Sequence, residues 1–560
     1  MKKITRLVMV LGIMLLVLLP VFAGGAEEAK EAEAPAEMVV EEGGPTNSNP
    51  LSDVRVRKAI AYAIDMDTIA DTLLEGMAIV ADSQIPNGSW KAPGLEPYSY
   101  DPDRARALLK AANWDESIVL DLVYYYADQL TADLMTAVQA YLADVGVQMT
   151  FRKLEGDVAG QLNALPVDPV DGPSGIVWDL GYGARAALAL QEYYNGYTAG
   201  ITATTPSDPK LDELIAGISS TSDVAKQKEA FFAIERYDSE MLYTLPLYYQ
   251  QLFVFESTKI NRNGEMYGNA QYNYDWGIIN WTVPADKNGN HVLNTNTGPI
   301  EFFQTPWFNP GIFMTNKVLF DRLITTDGSL TPTRGIMVDD YSLSADGKTV
   351  TFELKEGLTW HDGSPLTVDD VRFSVEFAST VIPAVHPVFM TTFGSLKGFA
   401  AFKDGSADEI SGITINGNTI TFKFDKLDPN VLLTFSQFAI LPEKYLGDAD
   451  PLQFQQDPYW QWPIGSGPFK VSEVEMNDYL IMVPFENYQE GVAKIDQIVC
   501  YPTFENDVNM VKNAASGRLD YAFGKSTSDV AAILEMDNMK VTPVDIPYTR
   551  EIWFNKFPKP

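Results

Sequence analysis

The feature that most constrains this chain is the stretch Ser344–Phe377, which carries three local signals in succession. Residues 350–354 (VTFEL) alternate apolar and polar side chains, which is the period-two pattern of a half-buried strand. Residues 360–363 (WHDG) predict a tight turn. Thr367 and Asp370 have the spacing of a capping box that opens a helix. The stretch therefore predicts a strand, a turn and a helix.

A βαβ pattern nearer the start of the chain predicts parallel strands. Residues 118–126 read as a strand, residues 131–145 as an amphipathic helix and residues 147–154 as a second strand. Further along, residues 413–424 alternate around Asn416-Gly417, which predicts a hairpin. With 560 residues the chain is too long for one core, so these patterns predict an α/β protein of two or three domains.

The composition excludes several classes of function. A net charge of -34 repels nucleic acid and anionic membrane surfaces, so no nucleic-acid partner is expected. One cysteine, Cys500, and three scattered histidines give neither a disulfide nor a zinc-binding spacing, so no metal and no cofactor are predicted.

A catalytic constellation is not evident in the sequence. Asp369 and Asp370 are neighbours on a predicted helix and point about 100° apart, so they read as helix N-terminal charge rather than as a catalytic pair. A nucleophile motif of the GxSxG type is also missing. The prediction is that the chain is not an enzyme.

The same stretch resembles the signature block of the family 5 extracellular solute-binding proteins, which serve ABC importers of peptides, nickel and oligosaccharides. The matching segments are DGK at residues 346–348, TFELK at 351–355, and WHDG, PLT and DDV within 360–371. In that family the block lies near the start of the mature protein, whereas here it begins after residue 340. Landmarks of the family's C-terminal half come first instead, with PLSDVRVRKAIAYAID at residues 50–65 and LPLYY at 245–249.

The two halves of the family pattern are therefore both present but in reversed order. TREIWFN at residues 549–555 resembles the strand that precedes the PLSD segment in relatives. The resemblance implies a two-lobe periplasmic-binding-protein type II-like α/β fold with an extra subdomain, circularly permuted. A rearranged gene gives the same pattern.

Relatives cross between lobes on two strands, and the reordering is expected to cut one crossing near Asn555 and Leu51. Phe253–Ile260 would then be the main covalent link between the two lobes. The open state would therefore be looser than in an unpermuted relative.

This order predicts the following division of the chain. It comprises a signal peptide (1–23), a disordered acidic linker (24–48), an α/β lobe (49–255), a hinge return with an edge of the other lobe (256–283), a linker (284–298), a second α/β lobe (299–320 and 462–556) and an extra subdomain with the WHDG signature (321–461).

The first 23 residues predict export. Lys2, Lys3 and Arg6 precede an apolar run, and Val21-Phe22-Ala23 ends in a small residue that suits cleavage. No cysteine lies near the cleavage point, so a lipid-anchored lipoprotein is not expected. The expected location is periplasmic or extracellular, and an uncleaved N-terminal anchor is the alternative because the uncharged run is about 20 residues long.

The resemblance also implies a ligand site formed by the hinge and the loops that face it. The residues it assigns to ligand binding are Trp178, Asp179, Tyr182, Arg185, Tyr274, Trp276, Trp307, Asn309, Arg550, Trp553 and Asn555. For each aromatic residue the competing interpretation is core packing.

The loop at residues 178–188 bears on the ligand class. Peptide-binding relatives carry W-ADY-DP there, and the Asp pairs with the peptide's α-amino group, whereas this chain has an apolar residue at that position. An unpaired buried ammonium costs several kcal/mol, which weakens the argument for a peptide ligand. Oligosaccharide and oligopeptide are therefore equally expected as ligands. The implied function is capture of one of these for an ABC permease, by a protein expected to be monomeric. The alternatives are an exported enzyme acting on the same polymers and a sensor subunit.

Overall fold

A computed structural model describes residues 43–559 with gaps at 171, 187–191, 199, 222, 265–276, 298–304, 309–313, 328–330, 382–384, 477, 503–508 and 525–526. The chain divides into two units after Val40, and the described residues belong to the second unit.

The strands of the described residues fall into three sheets. They are β1 (Ala78–Val80), β2 (Val119–Tyr124), β3 (Gln148–Lys153), β4 (Leu180–Ala186), β5 (Thr244–Ser257), β6 (Val292–Thr297), β7 (Ile324–Thr326), β8 (Pro332–Gly335), β9 (Val338–Leu343), β10 (Thr349–Leu354), β11 (Ile413–Asn416), β12 (Thr419–Lys423), β13 (Phe469–Glu475), β14 (Tyr479–Pro484), β15 (Gln497–Pro502), β16 (Tyr521–Gly524) and β17 (Met539–Phe554). The largest sheet has eleven strands in the order β13-β14-β15-β6-β16-β5-β17-β4-β2-β3, with β1 also paired to β5. The others are β11-β12-β10-β9 and β7-β8.

Helices pack against these sheets. The α-helices are α1 (Val54–Ala63), α2 (Met66–Thr72), α3 (Pro102–Ala111), α4 (Gln129–Asp144), α5 (Val158–Asn163), α6 (Glu192–Asn195), α7 (Pro209–Ile218), α8 (Val224–Met241), α9 (Met314–Val318), α10 (Val368–Ala378), α11 (Pro387–Phe393), α12 (Phe399–Lys403), α13 (Val431–Gln437), α14 (Glu443–Leu446), α15 (Asn509–Ser516) and α16 (Thr527–Leu534). Short 3-10 helices cover Pro50–Ser52, Ile278–Asn280, Pro451–Gln456 and Pro458–Gln461. None of the helices in these ranges has both the length and the apolar composition needed to cross a membrane.

The predicted βαβ unit is confirmed. β2 and β3 are parallel, in register from Val119 opposite Gln148 to Tyr124 opposite Lys153, and α4 connects them. The helix begins two residues before the predicted start because the Asp128 side chain caps it and accepts a hydrogen bond from the Thr131 backbone N–H. The mixed α/β character predicted from the sequence is therefore present.

The signature stretch folds as its three signals predict. β10 spans the alternating residues, and α10 opens with a complete capping box. The Thr367 side chain accepts from the Asp369 backbone N–H at 3.2 Å, and the Thr367 backbone N–H donates to Asp370 Oδ2 at 2.9 Å. The hairpin around Asn416-Gly417 is also confirmed, as β11 and β12 of the four-stranded sheet.

The WHDG turn is anchored by its histidine to a glycine-rich turn elsewhere in the chain. His361 Nδ1 accepts from the Gly465 backbone N–H at 3.0 Å, and Nε2 lies 3.0 Å from the Gly467 carbonyl oxygen. A Cβ added to Gly465 would lie 1.8 Å from the Leu319 carbonyl oxygen, and one on Gly467 would lie 2.3 Å from that of Val318. Glycine is needed at both positions because backbone atoms fill the space that a side chain would occupy.

One predicted boundary is wrong. Residues 292–297, which their polar composition assigns to the linker 284–298, form β6 inside the large sheet, parallel to β15 and next to β16. Leu293, Thr295 and Asn296 are buried there. The buried Thr295 is tolerated in this strand because its hydroxyl donates to the Tyr521 carbonyl oxygen at 2.8 Å. The other domain boundaries stay predictions.

Candidate functional site

Two long antiparallel strands, β5 and β17, connect the two parts of the large sheet. At one end, β16 pairs with β5 from Tyr521 opposite Glu256 to Gly524 opposite Phe253. At the other end, β4 pairs with β17, with Trp553 opposite Gly181. Each long strand therefore belongs to both parts of the sheet, and we call them the crossing strands.

The register between the crossing strands breaks at one place. Asp545 pairs with Gln251 and Thr549 pairs with Tyr249, so three residues of β17 lie opposite the single residue Gln250. Such an insertion disrupts the ladder and bends the strand locally. The break lies where the crossing strands change neighbours, so it marks a natural point of bending between the two parts.

The expectation that one crossing is cut near Asn555 and Leu51 is wrong. β17 runs unbroken from Met539 to Phe554 and is paired along both of its halves. Asn555 lies just beyond the end of that strand. Because both crossings are intact, the described structure gives no reason to expect a looser open state.

The assigned residues of β4 and β17 divide between the two faces of the sheet. Tyr182 pairs with Ile552, so Tyr182 and Arg550 share one face. Arg185 pairs with Thr549, so Arg185 and Trp553 share the opposite face. The family resemblance implies one ligand site for all four residues, but the structure forms two neighbouring groups separated by the sheet.

The first group is a set of tyrosines around Arg550, which we call the Arg550 cluster. Its members are Tyr125, Tyr126, Tyr182, Tyr248, Tyr548 and Arg550. The guanidinium carbon lies 4.1 Å from the centre of the Tyr126 ring, 5.3 Å from that of Tyr548 and 5.9 Å from that of Tyr182. These distances are those of cation–π contacts.

Hydrogen bonds in the Arg550 cluster leave one donor without a partner. Arg550 Nε donates to Gln250 Oε1 at 3.2 Å, but Nη1 is buried and has no hydrogen-bond partner among the described residues. The Tyr126 hydroxyl lies 2.9 Å from that of Tyr125 and 3.4 Å from that of Tyr548. A buried donor without an acceptor is costly, so this N–H is suited to an acceptor brought by a ligand.

Three tyrosines of the cluster, Tyr126, Tyr182 and Tyr248, stay protonated at neutral pH. Burial raises the pKa of Tyr182 well above its ordinary value, and burial also raises the pKa of Tyr126 and Tyr248. Their hydroxyls can therefore donate as well as accept hydrogen bonds. The cluster offers aromatic faces, hydroxyls and one cationic donor in a small space.

The second group consists of Trp553, Glu551 and Arg185. The half-buried indole of Trp553 lies over β4, where a Cβ on Gly183 would come within 2.1 Å of the ring. Its Nε1–H donates to Glu551 Oε1, and Arg185 Nε lies 3.8 Å from the same oxygen. Glu551 Oε2 is buried and has no hydrogen-bond partner among the described residues. Burial raises the pKa of Glu551, while Arg185 opposes that effect.

Three assigned residues have their polar groups engaged by the protein. Trp178 donates its indole N–H to the Gln161 carbonyl oxygen at 3.0 Å. Asp179 Oδ2 accepts from the Asp121 backbone N–H at 2.9 Å, and Asn555 Nδ2 donates to the Trp178 carbonyl oxygen at 3.0 Å. All three residues are buried, so their contacts are structural and their assignment to ligand binding stays a prediction.

Trp307 lies in a hydrophobic core outside both groups. It stacks between Phe438, with ring centres 5.1 Å apart, and Phe454, with ring centres 5.5 Å apart. Its indole N–H donates to the Ala439 carbonyl oxygen at 2.7 Å. These contacts match the core-packing interpretation of this residue.

Several predictions fall outside the described residues. Tyr274 and Trp276 lie in the gap 265–276, and Asn309 lies in the gap 309–313.

Sequence reasoning missed Tyr125, Tyr126, Tyr248, Tyr548 and Glu551. A signal was available for two of them, because Tyr125 and Tyr126 directly follow β2, a predicted parallel strand. Ligands of open α/β sheets bind outside the carboxyl ends of such strands. Glu551 was detectable as the residue that shares a strand face with Trp553. Among the described residues, no group of three or more His, Cys, Asp or Glu side chains could hold a metal ion.

Comparison with known proteins places the chain in a family. Residues 38–212 and 333–559 match the profile of the bacterial extracellular solute-binding proteins, family 5. The chain belongs to this family, and its α/β fold with a large sheet is the family fold.

Relatives in this family match only part of this chain. A Brucella ovis protein whose name assigns it to ABC peptide transport is 25% identical over 254 residues, or 44% of this chain and 45% of the relative. The oligopeptide-binding protein OppA of Lactococcus lactis subsp. lactis is 26% identical over 246 residues, or 42% of this chain and 40% of the relative. The chain thus spans less than half the length of the curated relatives it matches.

Solved structures show the same partial coverage. Lactococcal OppA in complex with an endogenous peptide is 22% identical, covers 44% of this chain and 47% of its own, and superposes with a TM-score of 0.35. The oligopeptide-binding protein AppA of Bacillus subtilis in complex with a nonapeptide is 18% identical, covers 45% and 46%, and also gives a TM-score of 0.35.

Proposed function

We propose that this protein is the exported substrate-binding component of an ABC importer and that it captures an oligopeptide. The observation that carries the proposal is the pair of crossing strands with a register break where they change neighbours. Two strands that can bend together allow two lobes to close over a ligand as a hinge. Relatives named for peptide binding favour an oligopeptide over the oligosaccharide that the sequence left open.

The Arg550 cluster supplies chemistry that suits a peptide. It lies at the carboxyl ends of β2 and β4, where Tyr548 pairs with Ala186. Guanidinium N–H groups bind carboxylates and carbonyl oxygens, both of which a peptide presents along its length. We assign Arg550, Tyr182, Arg185 and Trp553 to the ligand site, with Glu551 as a further acceptor on the Trp553 side.

The proposal includes export, a partner and a simple assembly state. Cleavage after Ala23 would release the protein, and the expected partner is the membrane permease of the importer. The family to which the chain belongs is extracellular, which supports export. We propose that the protein acts as a monomer and without enzymatic activity.

We also propose that the reversed order of the two halves is a circular permutation. The support is that Asn49, at the start of the first half, lies against the end of the second. Asn49 Nδ2 donates to the carbonyl oxygens of Asn555 at 2.8 Å and Phe557 at 2.7 Å, and Asn47 Nδ2 donates to that of Lys556 at 2.9 Å. Permutation is tolerated when the joined segments lie close together at such a site.

The order can be tested by rebuilding the gene. A chain that runs from residue 290 to 558 and then directly into residues 49–283 should fold with a similar thermal midpoint and bind the same ligands. If the rebuilt chain is soluble and folded but has lost ligand binding, the permutation proposal is wrong.

The ligand class is tested by thermal-shift screening of the purified protein. One set of ligands contains di- to pentapeptides, and the other contains cello-, manno- and xylo-oligosaccharides. We expect saturable stabilisation by peptides and none by the sugars. Stabilisation by sugars alone would replace the peptide proposal with the oligosaccharide alternative, and no shift from either set would overturn the transport proposal. Product formation during long incubation would instead indicate an enzyme.

A further inference from the structure

The chain between β1 and α3 passes over the crossing strands at the register break. β1 pairs with β5 from Ala78 opposite Gln250 to Val80 opposite Tyr248, so it lies beside the residue that faces the extra residues of β17. Residues 82–92 follow directly, and we call them the hinge tether. They belong to neither of the two groups assigned to ligand binding.

The first residues of the hinge tether bond to both crossing strands. The Ser83 backbone N–H donates to the Tyr249 hydroxyl at 3.2 Å, and that hydroxyl lies 2.7 Å from Asp82 Oδ1. The Thr549 hydroxyl donates to the Gln84 carbonyl oxygen at 2.7 Å. Tyr249 and Thr549 pair with each other, and theirs is the first pair on the β4 side of the break. The hinge tether therefore joins the two strands at the edge of the break.

Two buried carboxyls of α8 hold the same segment from the other side. Glu235 accepts from the Ser83 hydroxyl at 3.1 Å and, through its second oxygen, from the Ala92 backbone N–H at 2.7 Å. Asp238 Oδ2 accepts from the Gln84 side-chain amide at 2.6 Å. Only 1% of Glu235 and 6% of Asp238 is exposed. Hydrogen bonds shielded from water are strengthened, so the hinge tether connects α8 firmly to the crossing strands.

Ring and apolar contacts add to this anchoring. Trp90 lies edge-on to Phe231 of α8, with ring centres 5.9 Å apart, and Ile85 belongs to the same buried cluster as Phe231. Lys91 Nζ lies 4.9 Å from the centre of the Tyr249 ring. A segment held at this many points moves together with α8.

The strand pair that the hinge tether holds lies on one side of the register break. On the other side, Asp545 pairs with Gln251, and β5 continues into its pairing with β16. When one side of a flexible joint is fixed, rotation is concentrated at the first residues beyond the fixed point. Here these are residues 546–548 of β17, which lie opposite Gln250.

We propose that the hinge tether confines bending of the crossing strands to the register break, so that the two lobes close along one path. Tyr249, Thr549 and Glu235 are its positioning residues, because they act on the hinge and not by contact with a ligand. This inference rests on the proposed function, since a defined hinge serves a protein that closes over its ligand. A defined hinge also raises affinity, because a larger fraction of molecules can close productively.

Protonation of the two carboxyls affects how firmly the hinge tether is held. Burial raises the pKa of Glu235 to about 8 and that of Asp238 to about 7. The charged or titratable groups that face them are Arg57, Lys91, Tyr194, Tyr197, Glu551 and Lys556. Release of the tether returns both carboxyls to water and to lower pKa values, so the held state binds more protons. The hold is therefore complete at acidic pH and weakens as the pH rises towards 8.

The test measures the distance between spin labels in the protein without ligand. Asp133→Cys and Glu473→Cys carry the labels at exposed positions on either side of the crossing strands, and the buried Cys500 stays unlabelled. Tyr249→Phe combined with Thr549→Val removes two hydroxyls and keeps the side-chain shapes. We expect the distance distribution to widen at least about 1.5-fold and peptide affinity to fall at least about threefold, because fewer molecules can close productively.

A pH series separates this role from a contribution to stability alone. Raising the pH from about 6 to about 9 should widen the wild-type distribution, because both carboxyls become charged. Glu235→Gln cannot ionise at this position, so its distribution should widen less over the same range. An equal widening in Glu235→Gln would remove Glu235 from the device.

The matched control combines Tyr341→Phe with Thr351→Val, which removes the same two hydroxyls from the four-stranded sheet. It should keep the wild-type distances and affinity. If the tether double variant does not fold, Thr549→Val alone decides the matter. A wild-type distance distribution or a wild-type affinity in the tether variant would overturn the inference. If the wild type binds no peptide, the proposed function fails, whereas the ligand-free distances still decide whether the tether confines the hinge.

Discussion

The WHDG turn and the Arg550 cluster differ in how completely their polar groups are satisfied. In the turn, both ring nitrogens of His361 have backbone partners at 3.0 Å, and Asp362 accepts from the Ser364 backbone N–H at 2.9 Å and the Tyr445 hydroxyl at 2.9 Å. In the cluster, Arg550 Nη1 is buried without a hydrogen-bond partner among the described residues.

This difference separates structural from ligand-binding roles. A polar group whose bonds are complete within the protein stabilises the fold and has little to offer a ligand. A buried donor without an acceptor costs stability unless a ligand supplies the acceptor. The conspicuous family motif is therefore a structural feature, and the proposed ligand site lies where the sequence is less distinctive.

The largest effect expected from the structural region comes from Gly465→Ala. The added methyl group would meet the Leu319 carbonyl oxygen at 1.8 Å, and a backbone atom cannot move aside at low cost. We expect a loss of more than about 4 kcal/mol in the free energy of unfolding, measured with urea, or an insoluble protein. Gly44→Ala is the control, since a Cβ there has nothing within 4 Å. A stable Gly465→Ala protein would show that the turn is more adaptable than described.

The second effect is a dependence of stability on pH that comes from His361. Burial lowers its pKa from 6.5 to about 4, so the folded state holds the neutral ring. Since the folded pKa lies below the unfolded one, the contribution is present above about pH 6.5 and is lost as the pH falls towards 4. The full loss amounts to about 3 kcal/mol.

The measurement compares urea unfolding of the wild type and His361→Gln at pH 7.5 and pH 4.5. The wild type should lose more stability between the two pH values than the variant does. The comparison between proteins is needed because His386 also has its pKa lowered to about 4 by burial. If the variant is too unstable, the His361 ring protons in the NMR spectrum should not titrate above about pH 5. Titration near pH 6.5 would contradict the described burial.

The third effect concerns the Arg550 cluster, in which a buried donor has no partner among the described residues. Arg550→Gln removes the unpartnered donor and the charge, so peptide affinity measured by calorimetry should fall at least tenfold, which is about 1.4 kcal/mol. The thermal midpoint should change little in comparison, because only the bond to Gln250 and the ring contacts are lost. Arg152→Gln, which removes an exposed arginine paired with Asp121, should leave the affinity unchanged. Equal affinities of wild type and Arg550→Gln would exclude the cluster from the site.

Local patterns predicted the elements of the fold well. The capping box at Thr367, the Asn416-Gly417 hairpin and the helix between β2 and β3 depend on neighbouring residues, and each forms as predicted. β6 was missed because its stability comes from strands far away in the sequence rather than from its own polar composition.

The proposed ligand site was only partly predictable for a similar reason. Arg550, Tyr182, Arg185 and Trp553 were assigned from their place on strands near the hinge, but which of them share a face depends on the pairing of β17 with β4. Glu551 belongs to no motif, and only its place on the same strand face as Trp553 pointed to it. A position on a strand can be read from sequence, whereas the partner across the sheet cannot.

The smallest effect concerns Asp362, the neighbour of His361 in the WHDG turn. Lys444, which pairs with it, is exposed to solvent, so water and salt screen the ion pair. Asp362→Asn should therefore cost no more than about 1 kcal/mol in urea unfolding, and the cost should shrink further in 1 M salt. A loss as large as that of His361→Gln would contradict this view of the turn. If the small value is found, His361 and Asp362 differ in their contribution to the free energy of unfolding. The reason is that His361 is buried with both ring nitrogens bonded, whereas Asp362 lies at the surface.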